Sequence, residues 1–236
     1  FRLDTGAFLD REHGWKTGIG SSAALSVALA AALVELAQTD ADPVTVAHRG
    51  HIGFQGGLGS GVDVAASAAG GLVEYRMQNR TASRLSMPAG LQCRLFWSGT
   101  PASTGKKLEK LSSHGPQPSI DALVFSAKRM ASAWESGSAS QVLTQYREYI
   151  EVLQEFSIDH DLGVFAAGHD ELTRRAADAG LVYKPCGAGG GDIGILLAND
   201  AAYADQFIAE SLPDNFRVLD LQLDEQGVQV TRTSSE

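Results

Sequence analysis

Cysteine is nearly absent from this chain: Cys93 and Cys186 are the only two in 236 residues. Two thiols make no disulfide framework, so the sequence predicts a reducing compartment, the cytoplasm by default. Long apolar runs are missing as well. The Ala-rich segment 23–37 is too short to span a membrane and is interrupted by Ser26 and Glu35, so no membrane partner is expected. No stretch reads as a signal peptide. Positive charge is scarce: 19 Lys and Arg stand against 28 Asp and Glu, a formal net charge of −9. That balance argues against a broad nucleic-acid or anionic-membrane surface. It does not exclude a phosphorylated small molecule, which a few local groups can hold on an acidic protein. Metal-ligand spacing is lacking among His48, His160 and His169, which read as structural. No internal repeat appears.

Glycine is what the chain has in quantity, 26 residues that cluster rather than scatter. The first cluster organises the rest: Lys16-Thr17-Gly18-Ile19-Gly20-Ser21-Ser22-Ala23-Ala24-Leu25, running directly into an apolar stretch. Glycines let the backbone turn tightly and approach a ligand closely. Ser21 and Ser22 are good N-capping types, and the helix predicted from Ser22 to about Gln38 begins with several free N–H groups. Such a loop at the positive end of a helix dipole suits phosphate, and a serine hydroxyl suits Mg2+. It fits neither common nucleotide pattern, lacking a terminal Gly-Lys-Ser/Thr and a third dinucleotide-type glycine. The bland alternative is a Gly-Ser turn capping a core helix. That helix is apolar nearly all round, which predicts burial on most sides.

Elsewhere the pattern alternates between strand and helix signals. Residues 1–9 read as a strand, and a second helix is predicted from Val44 to about Phe54, with Pro43 at its start. A second glycine cluster, Gly59-Ser60-Gly61-Val62-Asp63, follows. Asp63 reads either as the N-cap of a helix beginning at Val64 or as a base facing a substrate hydroxyl. Strands are expected at 72–76, 91–97, 193–198 and 216–223, with helices through most of 120–179 and at 201–211. The segment 97–104 reads as a surface loop with Lys106 and Lys107 beyond it as a solvated helix face, or as hydroxyls and N–H groups that meet an anionic phosphate with the help of either lysine. A third cluster, Gly187-Ala188-Gly189-Gly190-Gly191-Asp192, is too glycine-dense for a helix or an ordinary hairpin. The tail from Thr231 reads as loose.

The string Gly18-Ile19-Gly20-Ser21-Ser22-Ala23-Ala24 closely resembles the phosphate-binding motif of the GHMP kinases. The segment around Asp63, with His51 and Gln55 ahead of it, resembles the corresponding part of the phosphomevalonate kinase branch. Trp97-Ser98-Gly99-Thr100-Pro101-Ala102-Ser103-Thr104 is similar to that branch's Trp-Thr/Ser-Gly-x-x-Ala-Ser-Thr segment. The third cluster resembles its Lys-x-x-Gly-Ala-Gly-Gly-Gly-Asp motif. The four arrive in family order. Ile52 stands eleven positions before Asp63, where mevalonate kinases carry a metal-binding glutamate. The phosphomevalonate kinase branch also lacks that glutamate.

The resemblance implies a two-domain α+β GHMP fold. Residues 1–85 would be the remainder of an N-terminal ATP-binding domain of ribosomal-protein type without its first strands, and residues 86–236 a ferredoxin-like C-terminal domain. It implies ATP-dependent phosphorylation of 5-phosphomevalonate to 5-diphosphomevalonate, in isoprenoid biosynthesis. Gly18, Ile19, Gly20, Ser21, Ser22 and Ala23 would hold ATP, and Ser22 would bind Mg2+. Asp63 and Lys16 would be catalytic, and Ser60, Gly61, Ser103, Thr104, Gly187, Ala188, Gly189 and Gly190 would meet substrate. The expected partner is a small phosphorylated molecule, bound by a monomer or homodimer. The alternatives are mevalonate kinase, a related GHMP kinase or decarboxylase, and a catalytically silent GHMP-fold binding module.

Overall fold

A computed structural model describes residues 2–9, 14, 16–57, 59–112 and 118–232. These fall into two units, one drawn from residues 1–9, 20–85 and 222–236, the other from 10–19 and 86–221.

The first unit is built on helix α1 (Ser21–Ala37). Helix α2 (Pro43–Phe54) begins where the sequence places it. Pro43 occupies the first turn, where a missing N–H costs nothing, and the Asp42 carboxylate accepts from Thr45 N–H at 2.9 Å. Helix α3 (Val62–Ala69) follows, then strands β1 (Leu72–Arg76) and β2 (Thr81–Leu85), paired antiparallel from Leu72↔Leu85 to Arg76↔Thr81. The core is a small-residue seam: Ala23, Val27 and Ala30 of α1 against Ala47 of α2 and Val64 of α3. Alanines let the helix axes approach closely. Burial of α1 on most sides is not what the structure has. Its buried positions are Ala23, Val27, Ala30 and Ala31, one stripe at helical spacing, while Leu36 is 65% exposed. Only that stripe faces α2 and α3. The strand expected over residues 1–9 is also replaced, by a 3-10 turn at Gly6–Phe8. The Asp4 carboxylate accepts the Gly6 N–H at 2.9 Å and turns the chain before a ladder forms.

The second unit carries a four-stranded antiparallel sheet in the order β4-β5-β3-β6: β3 (Gln92–Trp97), β4 (Val182–Pro185), β5 (Ile193–Ala198) and β6 (Arg217–Leu219). Between β3 and β4 run α4 (Thr104–Ser112), α5 (Pro118–Glu135), α6 (Ala139–Asp159) and α7 (His169–Asp178); α8 (Ala201–Ser211) links β5 to β6. This order with crossing helices is the expected ferredoxin-like arrangement. Phe96, Leu172, Ala176, Tyr183, Leu196, Ala204, Phe207 and Phe216 fill its core. A fully buried Leu or Phe contributes about 1.5–3 kcal/mol, so this cluster holds helix and sheet together. Strand β4 escaped the sequence reading because Val182, Tyr183 and Pro185 are all buried and nothing alternates. Its proline is tolerated because β4 is an edge strand. The last strand is shorter than the expected 216–223. Leu221 N–H turns back onto Leu219 C=O at 3.0 Å, and the chain passes into the first unit, where Gly71 N–H donates to Asp224 C=O at 2.6 Å. No described helix is long and apolar enough to cross a membrane.

Candidate active site

Gly20, not a serine, is the N-cap of α1. It sits in the left-handed region (φ 84, ψ 27) with no side-chain cap, and Ser21 and Ser22 are the first helical residues. A β-carbon is strained at that φ, so glycine serves where Ser or Thr cannot. The first intrahelical N–H is that of Ala24, donating to Gly20 C=O at 3.1 Å. The N–H groups of Ser21, Ser22 and Ala23 have no acceptor among the described residues. They form an anion-binding helix start. Ser21 is half-buried, Ser22 exposed and Ala23 fully buried. Ala23 thus anchors the helix while the two serines face outward. Ile19, half-buried, ends the first stretch of the second unit, and Gly20 begins a stretch of the first.

Two side chains flank this helix start within the first unit. His51, on the last turn of α2, is 3% exposed, and its Nε2 lies 3.2 Å from Ser22 Oγ. Its Nδ1 is buried with no partner among the described residues. A buried lone pair is less costly to orphan than a buried N–H. The proton therefore belongs on Nε2, which donates to the serine oxygen and leaves the hydroxyl hydrogen and a lone pair for a ligand. Asp63 is the second neighbour. A β-carbon placed on Gly20 would have only Asp63 Cβ within reach, at 4.0 Å. The N-cap of α3 is Gly61, so the capping role for Asp63 is overturned: it lies in the first turn, exposed, with no hydrogen bond or ion pair among the described residues. Ser60 and Gly61 shape the approach to α3. Ser60 Oγ accepts Val62 N–H at 3.3 Å, its carbonyl accepts Tyr75 Oη–H at 3.1 Å, and Gly61 is buried against His48. Burial, chiefly, and the nearby Arg80 charge hold the His48 pKa below its usual value.

In the second unit the third glycine cluster and the loop after β3 are locked together. Asp192 N–H donates to Thr100 C=O at 2.6 Å and Ser98 N–H to Asp192 C=O at 2.8 Å. Trp97 and Ser98 are 2% and 1% exposed. The surface loop expected over 97–104 is therefore buried at its base, and Thr100, Pro101, Ser103 and Thr104 reach solvent fully at its far end. Gly18 packs here too. Its φ is +76, and a β-carbon on it would lie 2.5 Å from Asp192 Cγ. Desolvation raises the Asp192 pKa above the ordinary carboxylate value, against a hydrogen bond from Ala102 N–H. Lys16, just ahead, is exposed. Gly187 is exposed, Ala188 and Gly190 half-buried and Gly189 buried.

His169, fully buried at the start of α7, ties this cluster to the sheet. Its Nε2 is 3.1 Å from Gly191 C=O and its Nδ1 2.7 Å from Tyr183 Oη. A carbonyl only accepts, so Nε2 carries the proton and Tyr183 donates to Nδ1. Burial, first, lowers the His169 pKa; Lys107 and Lys184 add to that, while the Gly191 contact and Asp170 oppose it. The folded pKa is thus depressed, so the stability this neutral imidazole contributes is present above its unfolded pKa of about 6.5 and is lost as pH falls below it. His48 acts in the same sense. We expect the melting temperature to fall between pH 6.5 and 5, and His169→Gln to flatten that slope. An unchanged slope in the variant, measured by thermal denaturation, refutes the assignment.

The sequence reading thus named Gly20, Ser22 and Asp63, which stand together in the first unit, and Gly18 with the third cluster, which stand together in the second. It missed Asp192 as the neighbour of Gly18 and His51 as the partner of Ser22. It also took Lys107 for a solvated residue. Among the described residues no group of three or more His, Cys, Asp or Glu is placed to hold a metal. A cation carried on phosphates would still find a ligand in the exposed Ser22 hydroxyl, since Mg2+ commonly takes few protein ligands and several from phosphate.

Residues 14–71 match the family model described as the GHMP kinases N terminal domain. The chain is 28% identical over 228 residues to a phosphomevalonate kinase of Streptomyces sp. (strain CL190), across 82% of this chain and 60% of that protein. It is 31% identical over 209 residues to the mevalonate kinase of Mus musculus, across 76% and 51%. The chain therefore spans between half and three fifths of the length of these relatives. In structure it resembles Streptococcus pneumoniae phosphomevalonate kinase in complex with phosphomevalonate and AMPPNP, with a TM-score of 0.73 and 20% identity over 90% of this chain and 70% of that one. The fold is that of GHMP kinase structures, and residues 14–71 match the N-terminal domain of that family.

Proposed function

We propose that this protein transfers the γ-phosphoryl group of ATP to 5-phosphomevalonate, giving 5-diphosphomevalonate and ADP in isoprenoid biosynthesis. The observation that carries the reading is the start of α1: a left-handed Gly20 with open space where a β-carbon would stand, three N–H groups behind it without an acceptor among the described residues, and Asp63 at its side. The Streptomyces phosphomevalonate kinase and the pneumococcal complex support the choice of acceptor.

In this reading Gly18, Ile19, Gly20, Ser21, Ser22 and Ala23 hold the ATP phosphates through backbone N–H groups and the two hydroxyls. Ser22, steadied by His51, is the protein ligand for Mg2+. The bound Mg-ATP supplies the transferable phosphoryl group and the cation that neutralises its charge. Asp63 orients the acceptor phosphate oxygen, or takes its proton where it carries one. Lys16 is the second catalytic residue, its ammonium countering phosphate charge. Ser60, Gly61, Ser103, Thr104, Gly187, Ala188, Gly189 and Gly190 hold the acceptor by hydroxyls and backbone. Positioning and charge neutralisation do most of the catalysis, because an ionised phosphate is already a competent nucleophile.

The mevalonate kinase reading keeps one specific support, the 31% identity to the mouse enzyme. A coupled ADP assay across 5-phosphomevalonate, mevalonate, homoserine and galactose separates the two. We expect 5-phosphomevalonate to exceed the others by about a hundredfold in kcat/KM, since a site built for a second phosphate is left unpaired without it. Preference for mevalonate moves the assignment to the runner-up. Mg-ATP binding with no turnover of any acceptor makes the protein a binding module instead.

A further inference from the structure

Lys107 lies on α4, one turn past Thr104, where a helix of mean polar character reads as a solvated face. Its ammonium is only partly exposed and is turned back onto the protein. Nζ donates to three backbone carbonyls at once: Gly189 at 2.7 Å, Ala188 at 3.1 Å and Gly163 at 3.2 Å. Only the protonated amine has three hydrogens, so the three acceptors fix its charge state. One residue thereby joins two loops, the glycine cluster and the segment between α6 and α7. The same loops meet a second time where Gly190 N–H donates to Val164 C=O at 2.6 Å. One turn further along α4, Lys110 reaches the Asp161 carbonyl at 2.8 Å and its carboxylate at 2.7 Å.

The consequence for the loop is electrostatic. With Ala188 and Gly189 carbonyls aimed at Lys107, and Gly191 C=O held by His169 at 3.1 Å, the negative ends of these peptides face the protein. What is left outward is the turn at Gly187 and Ala188, whose N–H groups have no acceptor among the described residues.

We propose that Lys107 is the positioning residue of the glycine cluster, a built-in cation in a three-carbonyl cradle that turns the loop's N–H side toward an anionic ligand. Lys107 itself touches no ligand. The structural part stands on the contacts alone, and the kinetic part rests on the proposed phosphoryl transfer.

The test removes the side chain and returns its charge. Lys107→Ala keeps the helix and leaves a slot the length of n-propylammonium. Amide hydrogen exchange at Gly189 and Gly190, both hydrogen-bonded, is expected to quicken by about tenfold or more in the variant. Millimolar n-propylammonium should restore protection, and the isosteric neutral n-propanol should not. Unaltered exchange in Lys107→Ala, or equal rescue by the alcohol, overturns the proposal. In the ADP assay the same variant should raise KM for the phosphorylated acceptor with kcat nearly unchanged, again reversed by the amine. Loss of loop protection without any change in KM removes the positioning role. If the parent protein has no kinase activity, the proposed function falls and the exchange result alone decides the assignment of Lys107.

Discussion

Replacing Gly20 with valine is expected to abolish the thermal stabilisation that Mg-ATP gives the parent protein, while the variant remains folded. Two costs must be kept apart. The first is conformational: at φ 84 a branched residue is strained, worth about 1–2 kcal/mol for an ordinary L side chain and somewhat more for valine. The second is steric, and here it is small, since among the described residues beyond its chain neighbours only Asp63 Cβ lies within 4 Å of the new β-carbon, at 4.0 Å. The space the valine fills is therefore the space proposed for phosphate. Gly20→Asn controls for strain, because asparagine tolerates the left-handed region yet occupies the same volume. Both variants should melt within a few degrees of the parent without ligand, and neither should respond to saturating Mg-ATP. A shift equal to the parent's in Gly20→Val removes the phosphate assignment. Gly18 and Gly61 make poorer probes. A β-carbon on Gly18 would meet Asp192, and one on Gly61 would strike His48, so loss of binding there reports misfolding equally well.

The difference between those glycines marks what the sequence can and cannot carry. The loop was legible because its chemistry is written in consecutive residues, glycine for turn and serine for hydroxyl. The same holds for Asp42-Pro43 opening α2 and for the alternation that placed β3. What is set by distant residues was not legible. Which serine or glycine caps α1 depends on the φ the chain must take after Ile19, and composition alone favoured the serines. Asp63 looked like a cap because it precedes an Ala-rich helix, but Gly61 takes that position when its backbone packs under His48. Strand β2 shows no periodicity because four of its five residues are exposed, and only pairing with β1 makes it a strand. Lys107 and His169 find their carbonyl partners far along the chain, and nothing in the local pattern announces a cation whose ligands are backbone atoms.

Asp63→Asn should lower kcat by roughly 10²–10⁴, the span usual for a positioned acid–base group, with little change in KM or stability. The structural side of this expectation is sharper than the sequence allowed. Because Gly61 caps α3, the capping contribution of about 1 kcal/mol is not at stake at Asp63. What an exposed carboxylate in the first helical turn contributes is its interaction with the helix dipole, about 0.3–1 kcal/mol. Asparagine keeps the shape and loses the charge, so its melting temperature should fall only slightly, and Asp63→Ala should behave alike. The catalytic side follows from timing. A carboxylate that orients the attacking oxygen, or accepts its proton, contributes mostly as the new bond forms, so its removal lowers kcat and kcat/KM together. Single-turnover transfer with saturating Mg-ATP and 5-phosphomevalonate reads the chemical step without product release. Raising the pH offers a second check: once the acceptor phosphate is fully ionised, Asp63 has no proton to take, and the deficit of the variant should narrow if proton transfer dominates and persist if orientation does. A parent-like single-turnover rate in Asp63→Asn would leave this side chain as a surface charge at the end of a helix.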